Sequence, residues 1–107
     1  MSGLNQSPDR GDVLDSAFIA GTFNVGTSDV LAAVGVSNLV RRQTLVIYND
    51  SNKDMYYGPV GVTSNGANKG ILFSSTETVV LNVGEYIIVH IVCASPGGNS
   101  VIIQEFA

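Results

Sequence analysis

From Ala17 onward the chain is a succession of short runs of β-branched, aromatic and aliphatic residues, broken by turn formers. Residues 17–25 are rich in Phe, Ile, Thr and Val and stop at Gly26-Thr27-Ser28, which predicts a strand. Over residues 29–36, Ser28 or Asp29 offers a cap for a short helix. Gly35 and Val36 disfavour a long one, and the segment reads as a strand. Residues 42–49 (Arg-Gln-Thr-Leu-Val-Ile-Tyr-Asn) form the clearest strand. It is stopped by Asp50-Ser51-Asn52-Lys53, whose side chains hydrogen-bond back to their own main chain in turns. Residues 54–57 then read as the return strand of a hairpin, ended by Gly58-Pro59, and Asn65-Gly66 suits the positive φ of a tight turn. Residues 71–73, 76–81, 86–94 and 101–106 complete the set. The spacing predicts an all-β fold over residues 17–107, an antiparallel β-sandwich of seven or eight short strands, jelly-roll-like or immunoglobulin-like. Residues 1–16 are polar and turn-rich without a period, and read as a flexible N-terminal arm that orders on binding.

The last two strands, read as a closing hairpin, do not alternate as a sheet with one wet face should. Ile87-Ile88-Val89-His90-Ile91-Val92-Cys93-Ala94 and Val101-Ile102-Ile103 are apolar on both sides. Composition sharpens the point: charged residues are 13% of the chain, about half the ~25% of a typical soluble domain. Mean hydropathy is +0.28. Strands that need cover on both faces, in a chain short of surface charge, predict an oligomer or a docked component; the alternative is cover by the protein's own loops. The expected contact residues are Leu4, Val13 and Leu14 in the arm, and His90 and Ile102 on the second face of the final hairpin.

The same composition excludes several partners. Five Lys+Arg against nine Asp+Glu give a net charge of −4, which repels nucleic acid. The longest apolar run, residues 86–94, is interrupted by His90 and falls well short of the ~20 residues of a spanning helix, so no membrane partner is expected. Residues 1–9 have neither a basic nor an apolar leader segment, and synthesis in a cytoplasm is expected.

Candidate chemistry is sparse. His90 is the only imidazole and Cys93 the only thiol. Three positions apart on one strand, they point to opposite faces, which disfavours a Cys–His nucleophile. One His and one Cys are too few for a zinc site. Asp50-x-Asn52-x-Asp54 opens like a calcium loop but lacks its glycine and its closing Glu, so a surface turn is the better account. Gly58-Pro-Val-Gly61 and Gly66-Ala-Asn-Lys-Gly70 lack the context of a phosphate loop. Arg10-Gly11-Asp12 spells an integrin-type tripeptide too short to carry weight. The chain is therefore expected not to be an enzyme, with no cofactor and no metal.

Arg41-Arg42-Gln-Thr-Leu-Val-Ile-Tyr-Asn49, Met55-Tyr56-Tyr57-Gly58, Gly61-Val62-Thr63, Asn65-Gly66, residues 79–84 and 86–94, and the closing Ser100-Val-Ile-Ile-Gln-Glu105 resemble small β-sandwich virion domains of tailed bacteriophages. The resemblance covers residues 20–106. It implies a capsid decoration or cement protein, or a head-fibre base domain, located on the virion. The expected partners are the major capsid protein and the chain itself, as a homotrimer ahead of a dimer. It carries no catalytic residues. A fibre or carbohydrate-binding module using Tyr48, Tyr56 or Tyr57 is the rival reading.

Overall fold

The computed structural model describes residues 18–107. Two four-stranded antiparallel sheets make an all-β sandwich. The arm read over residues 1–16, with Leu4, Val13, Leu14 and Arg10-Gly11-Asp12, lies outside the described residues. The strands are β1 (Phe18–Val25), β2 (Val30–Leu31), β3 (Thr44–Asn49), β4 (Met55–Gly58), β5 (Ile71–Phe73), β6 (Thr78–Leu81), β7 (His90–Cys93) and β8 (Asn99–Phe106). One sheet runs β1-β8-β3-β6 and the other β2-β7-β4-β5.

Alternation sets the register of the first sheet. In β3, Leu45, Ile47 and Asn49 are buried and Thr44, Val46 and Tyr48 half-buried; β8 alternates in the same way along its full length. Odd-numbered residues of this sheet face inward and even-numbered ones outward, with Thr22, Ile102, Tyr48 and Thr78 in one cross-strand row. Between the sheets lies the core, in which Leu45, Ile47, Met55, Phe73, Ile91 and Ile103 are the largest apolar side chains.

Three expectations are corrected. First, neither predicted hairpin pairs with itself. β3 and β4 belong to opposite sheets, as do β7 and β8, so residues 50–54 and 94–98 cross from one layer to the other. Asparagines fix both crossings. Asn49 Nδ2 donates to the carbonyls of Lys53 (2.7 Å) and Phe73 (3.2 Å). Asn99 Nδ2 donates to Val25 O (3.0 Å) and Ser95 O (2.9 Å). Second, the strand read at 29–36 shrinks to Val30–Leu31, and that at 86–94 begins only at His90. The Ile87 N–H closes a turn on Gly84 O (3.2 Å). Third, the outward side of β7 needs no second polypeptide at Val92. Tyr56, Val62 and Val92 form a satellite cluster on the outer side of the β2-β7-β4-β5 sheet. Val62 reaches it because residues 59–70 fold back over that sheet. They fit only because position 70 is glycine: a Cβ there would lie 2.5 Å from both Tyr57 O and Val62 Cγ2. Gly66, at φ +78°, supplies the predicted positive-φ turn within this cover.

The sandwich has two unlike ends. Residues 26–29, 50–54, 74–77 and 94–98 close one of them, with Gly, Ser, Thr, Asn, Asp and Glu and, besides these, only Lys53, Ala94 and Pro96. The other carries residues 32–43 and 82–89, the start of β1 and the finish of β8, where the Phe18 and Phe106 rings stack with centroids 4.5 Å apart.

Candidate functional site

At the second end, the inward register of β8 delivers a carboxylate into the core. Glu105 is wholly buried, and every partner it needs is in place. Its Oε1 accepts from the Val34 N–H (2.9 Å), and its Oε2 accepts from the Leu39 N–H (3.0 Å) and Arg42 Nη1 (3.0 Å). Arg42, 2% exposed, spends its remaining donors on the opposite loop. Nε donates to Val83 O (3.3 Å), and Nη2 to Gly84 O (3.0 Å) and Ile87 O (2.8 Å). A charge pair stripped of water is tolerable only when its donors and acceptors are met in this way. The two residues thereby clamp residues 32–43 and 82–89 to the end of β8.

Further bonds stiffen the clamp. Asn38 Nδ2 donates to Glu85 O (2.6 Å), and the Arg41 N–H donates to Glu85 Oε1 (2.7 Å). Arg41 sits at φ +61°, a left-handed conformation that a non-glycine residue holds only when its surroundings over-determine it.

On this rigid base the loops present bare apolar side chains. Val36 is 101% exposed, Tyr86 87%, Val40 67%, Ile87 53% and Ile88 47%. Val36, Val40 and Ile88 border a hollow of about 460 Å³ whose wall also holds Leu31, Asn38 and His90. The Asn38 Oδ1 is the one buried side-chain oxygen without a hydrogen-bond partner among the described residues.

His90 lies at the edge of this hollow, bonded through Nδ1 to Asp29 Oδ2 (2.7 Å). The same carboxylate oxygen accepts from the Gly61 N–H (2.9 Å). That backbone donor, with the imidazole behind it, holds the Asp29 carboxyl below its ordinary range. The trio pins the 59–70 cover to the β1–β2 turn. Ile102 is elsewhere: it sits half-buried on the outer face of the other sheet, so the two residues expected to share a hairpin face occupy opposite layers.

Other candidates stay apart. Cys93 faces the core, its thiol donating to Asp54 O (3.3 Å), while His90 faces outward. Among the described residues no group of three or more His, Cys, Asp or Glu is close enough to hold a metal. The exposed Asp50, Asn52 and Asp54 belong to a turn organised by Asn49, whose Oδ1 accepts from the Ser51 N–H (3.1 Å) and hydroxyl (2.6 Å). The tyrosines form no shared platform. Tyr48 is on the first sheet, Tyr56 is buried under the cover with Lys69 Nζ 5.5 Å from its ring centroid, and Tyr57 tilts against Phe73 in the core.

Sequence reasoning missed Arg42, Glu105, Val36 and Val40. One signal was available: continuing the alternation of residues 99–105 puts Glu105 on the buried side, where a cation must meet it. No protein-family model matches the chain, and no curated protein sequence does.

Proposed function

We propose that the chain is a non-enzymatic virion structural protein of the capsid-decoration type, which self-associates and docks on a capsid through its apolar loop end. The observation that carries this reading is the clamped pair of loops. Val36, Val40, Tyr86, Ile87 and Ile88 together expose roughly 600 Å², at the top of the ~300–600 Å² spanned by the largest patch of an ordinary monomer. Covering that surface is worth about 15 kcal/mol at ~25 cal/mol per Å², before association costs of ~4–15 kcal/mol. Because Arg42 and Glu105 already hold the loops, little ordering entropy is added on binding. The resemblance to phage virion domains supplies the identity of the partner, the major capsid protein.

Co-sedimentation of the purified chain with phage heads stripped of it tests the proposal. Saturable binding that is lost in the folded Tyr86→Ser and Val36→Ser variants is the expected result. Binding by those variants equal to the parent's, or no binding by the parent, refutes it.

A further inference from the structure

The two sheets are treated differently by the chain. Residues 59–70 cover the outer side of β2-β7-β4-β5, whereas no described segment lies over the outer face of β1-β8-β3-β6. That face consists of the even-numbered residues of its four strands, and none of them is charged. Phe18, Val46, Tyr48, Val80, Ile102 and Phe106 stand there among Ala, Thr, Asn, Ser and Gln, with Phe18 55% and Val80 60% exposed. At its centre Val46, Tyr48, Thr78, Ile102 and Gln104 line a shallow hollow of about 300 Å³.

We infer that this face is the self-association surface, and that its occupant is the same face of a second copy. Four strands at ~4.8 Å spacing and about seven residues at ~3.4 Å make a footprint of roughly 450 Å². Set against its copy, that gives about 900 Å² of footprint in all, the size of a weak, reversible interface. Charge argues for a like partner. A two-fold contact sets a patch against itself, so any charge near the axis would meet its own kind. In a chain of net charge −4, an uncharged face is the one that a second copy can approach without that penalty. Thr, Ser and Gln on the face keep hydrogen-bonding capacity, and Tyr48 and Ile102 supply apolar anchors beside a hollow that receives a side chain from the facing copy.

The inference rests on the self-association named above and is independent of the virion assignment. Sedimentation equilibrium of the full chain at 1–100 μM, with Ile102→Arg and Val80→Lys variants checked by far-UV circular dichroism, tests it. The parent is expected to be a dimer or larger, and each variant to shift towards monomer by at least tenfold in dissociation constant with an unchanged spectrum. Val80 is exposed, so its variant reports on the interface even if Ile102→Arg folds poorly. A monomeric parent overturns the inference. So does an assembly dissolved by Tyr86→Ser but not by Val80→Lys. Loss of capsid binding in the loop variants with normal self-association leaves the decoration reading intact, and the converse separates the two.

Discussion

Replacing Arg42 by alanine isolates the clamp. The change leaves the Glu105 carboxylate with two backbone donors and no counter-charge, strips the carbonyls of Val83 and Gly84 of their side-chain donor, and leaves Ile87 O with Asn38 Nδ2 alone (3.3 Å). Removing one partner of a buried ion pair costs about 3–5 kcal/mol. A buried acceptor left unpaired adds ~1–3 kcal/mol, but these carbonyls lie in a surface loop that water can reach once the guanidinium is gone. A net loss of about 4 kcal/mol is therefore expected, a large part of the ~5–15 kcal/mol that holds a domain folded. For a domain of this size each kcal/mol moves Tm by ~4–8 °C, so the variant melts roughly 15–30 °C below the parent. Urea unfolding followed by far-UV circular dichroism measures the loss directly, and an unchanged m-value shows that the same cooperative unit unfolds. The Glu105→Gln variant and the double variant complete a cycle, with a coupling of ~2–3 kcal/mol expected for groups in one network. A loss under about 1 kcal/mol for Arg42→Ala, or no coupling, refutes the claim that this pair organises the loops.

Neighbouring isoleucines test the register: Ile103→Ala should cost ~2–5 kcal/mol as a core truncation, and Ile102→Ala less than about 1 kcal/mol in the monomer, by urea titration. Gly70→Ala should destabilise by ~1–3 kcal/mol, since its new methyl collides with Tyr57 O, and should speed proteolysis within residues 59–70. Asp29, held below its ordinary value of 3.8 when folded, contributes stability that is present above that value and lost as pH falls through the lower folded one. Asp29→Asn should therefore flatten the pH dependence of Tm below about pH 4 and change stability by no more than ~1 kcal/mol at neutral pH. Deleting residues 1–16 should leave the melting curve in place while abolishing capsid attachment, read by the same co-sedimentation.

The strands were legible wherever alternation or a β-branched run was bounded by turn formers, as at residues 18–25, 44–49, 71–73 and 99–106. What local pattern does not encode is the layer each strand joins. A short polar link can turn a strand back beside its neighbour or carry it across the ~10 Å to a stacked sheet, and Asp50-Ser51-Asn52-Lys53 reads equally well as either. The side-chain bonds of Asn49 and Asn99 decide the matter: each ties its own link, through Lys53 O or Ser95 O, to another strand, through Phe73 O or Val25 O. Residues 86–89 show a second limit: an apolar run was read as strand, whereas Gly84 and the Arg42 guanidinium hold residues 86–88 as an exposed loop and only Val89 turns into the core. His90 and Cys93 on opposite faces were legible from spacing alone. The pairing of Arg42 with Glu105 was not, because it spans 63 positions and depends on a register that only the assembled sheet defines.

The position of β8 has a kinetic consequence. It lies between β1 and β3, so the earliest and latest parts of the described chain are hydrogen-bonded neighbours. During translation β1 has no partner strand until residues 99–106 have left the ribosomal exit tunnel, and the Arg42 side chain waits equally long for its counter-charge. Closure of so large a loop is entropically slow. Until residues 99–106 emerge, the nascent polypeptide carries the unpaired edge of β1, which leaves it open to aggregation and to chaperone capture.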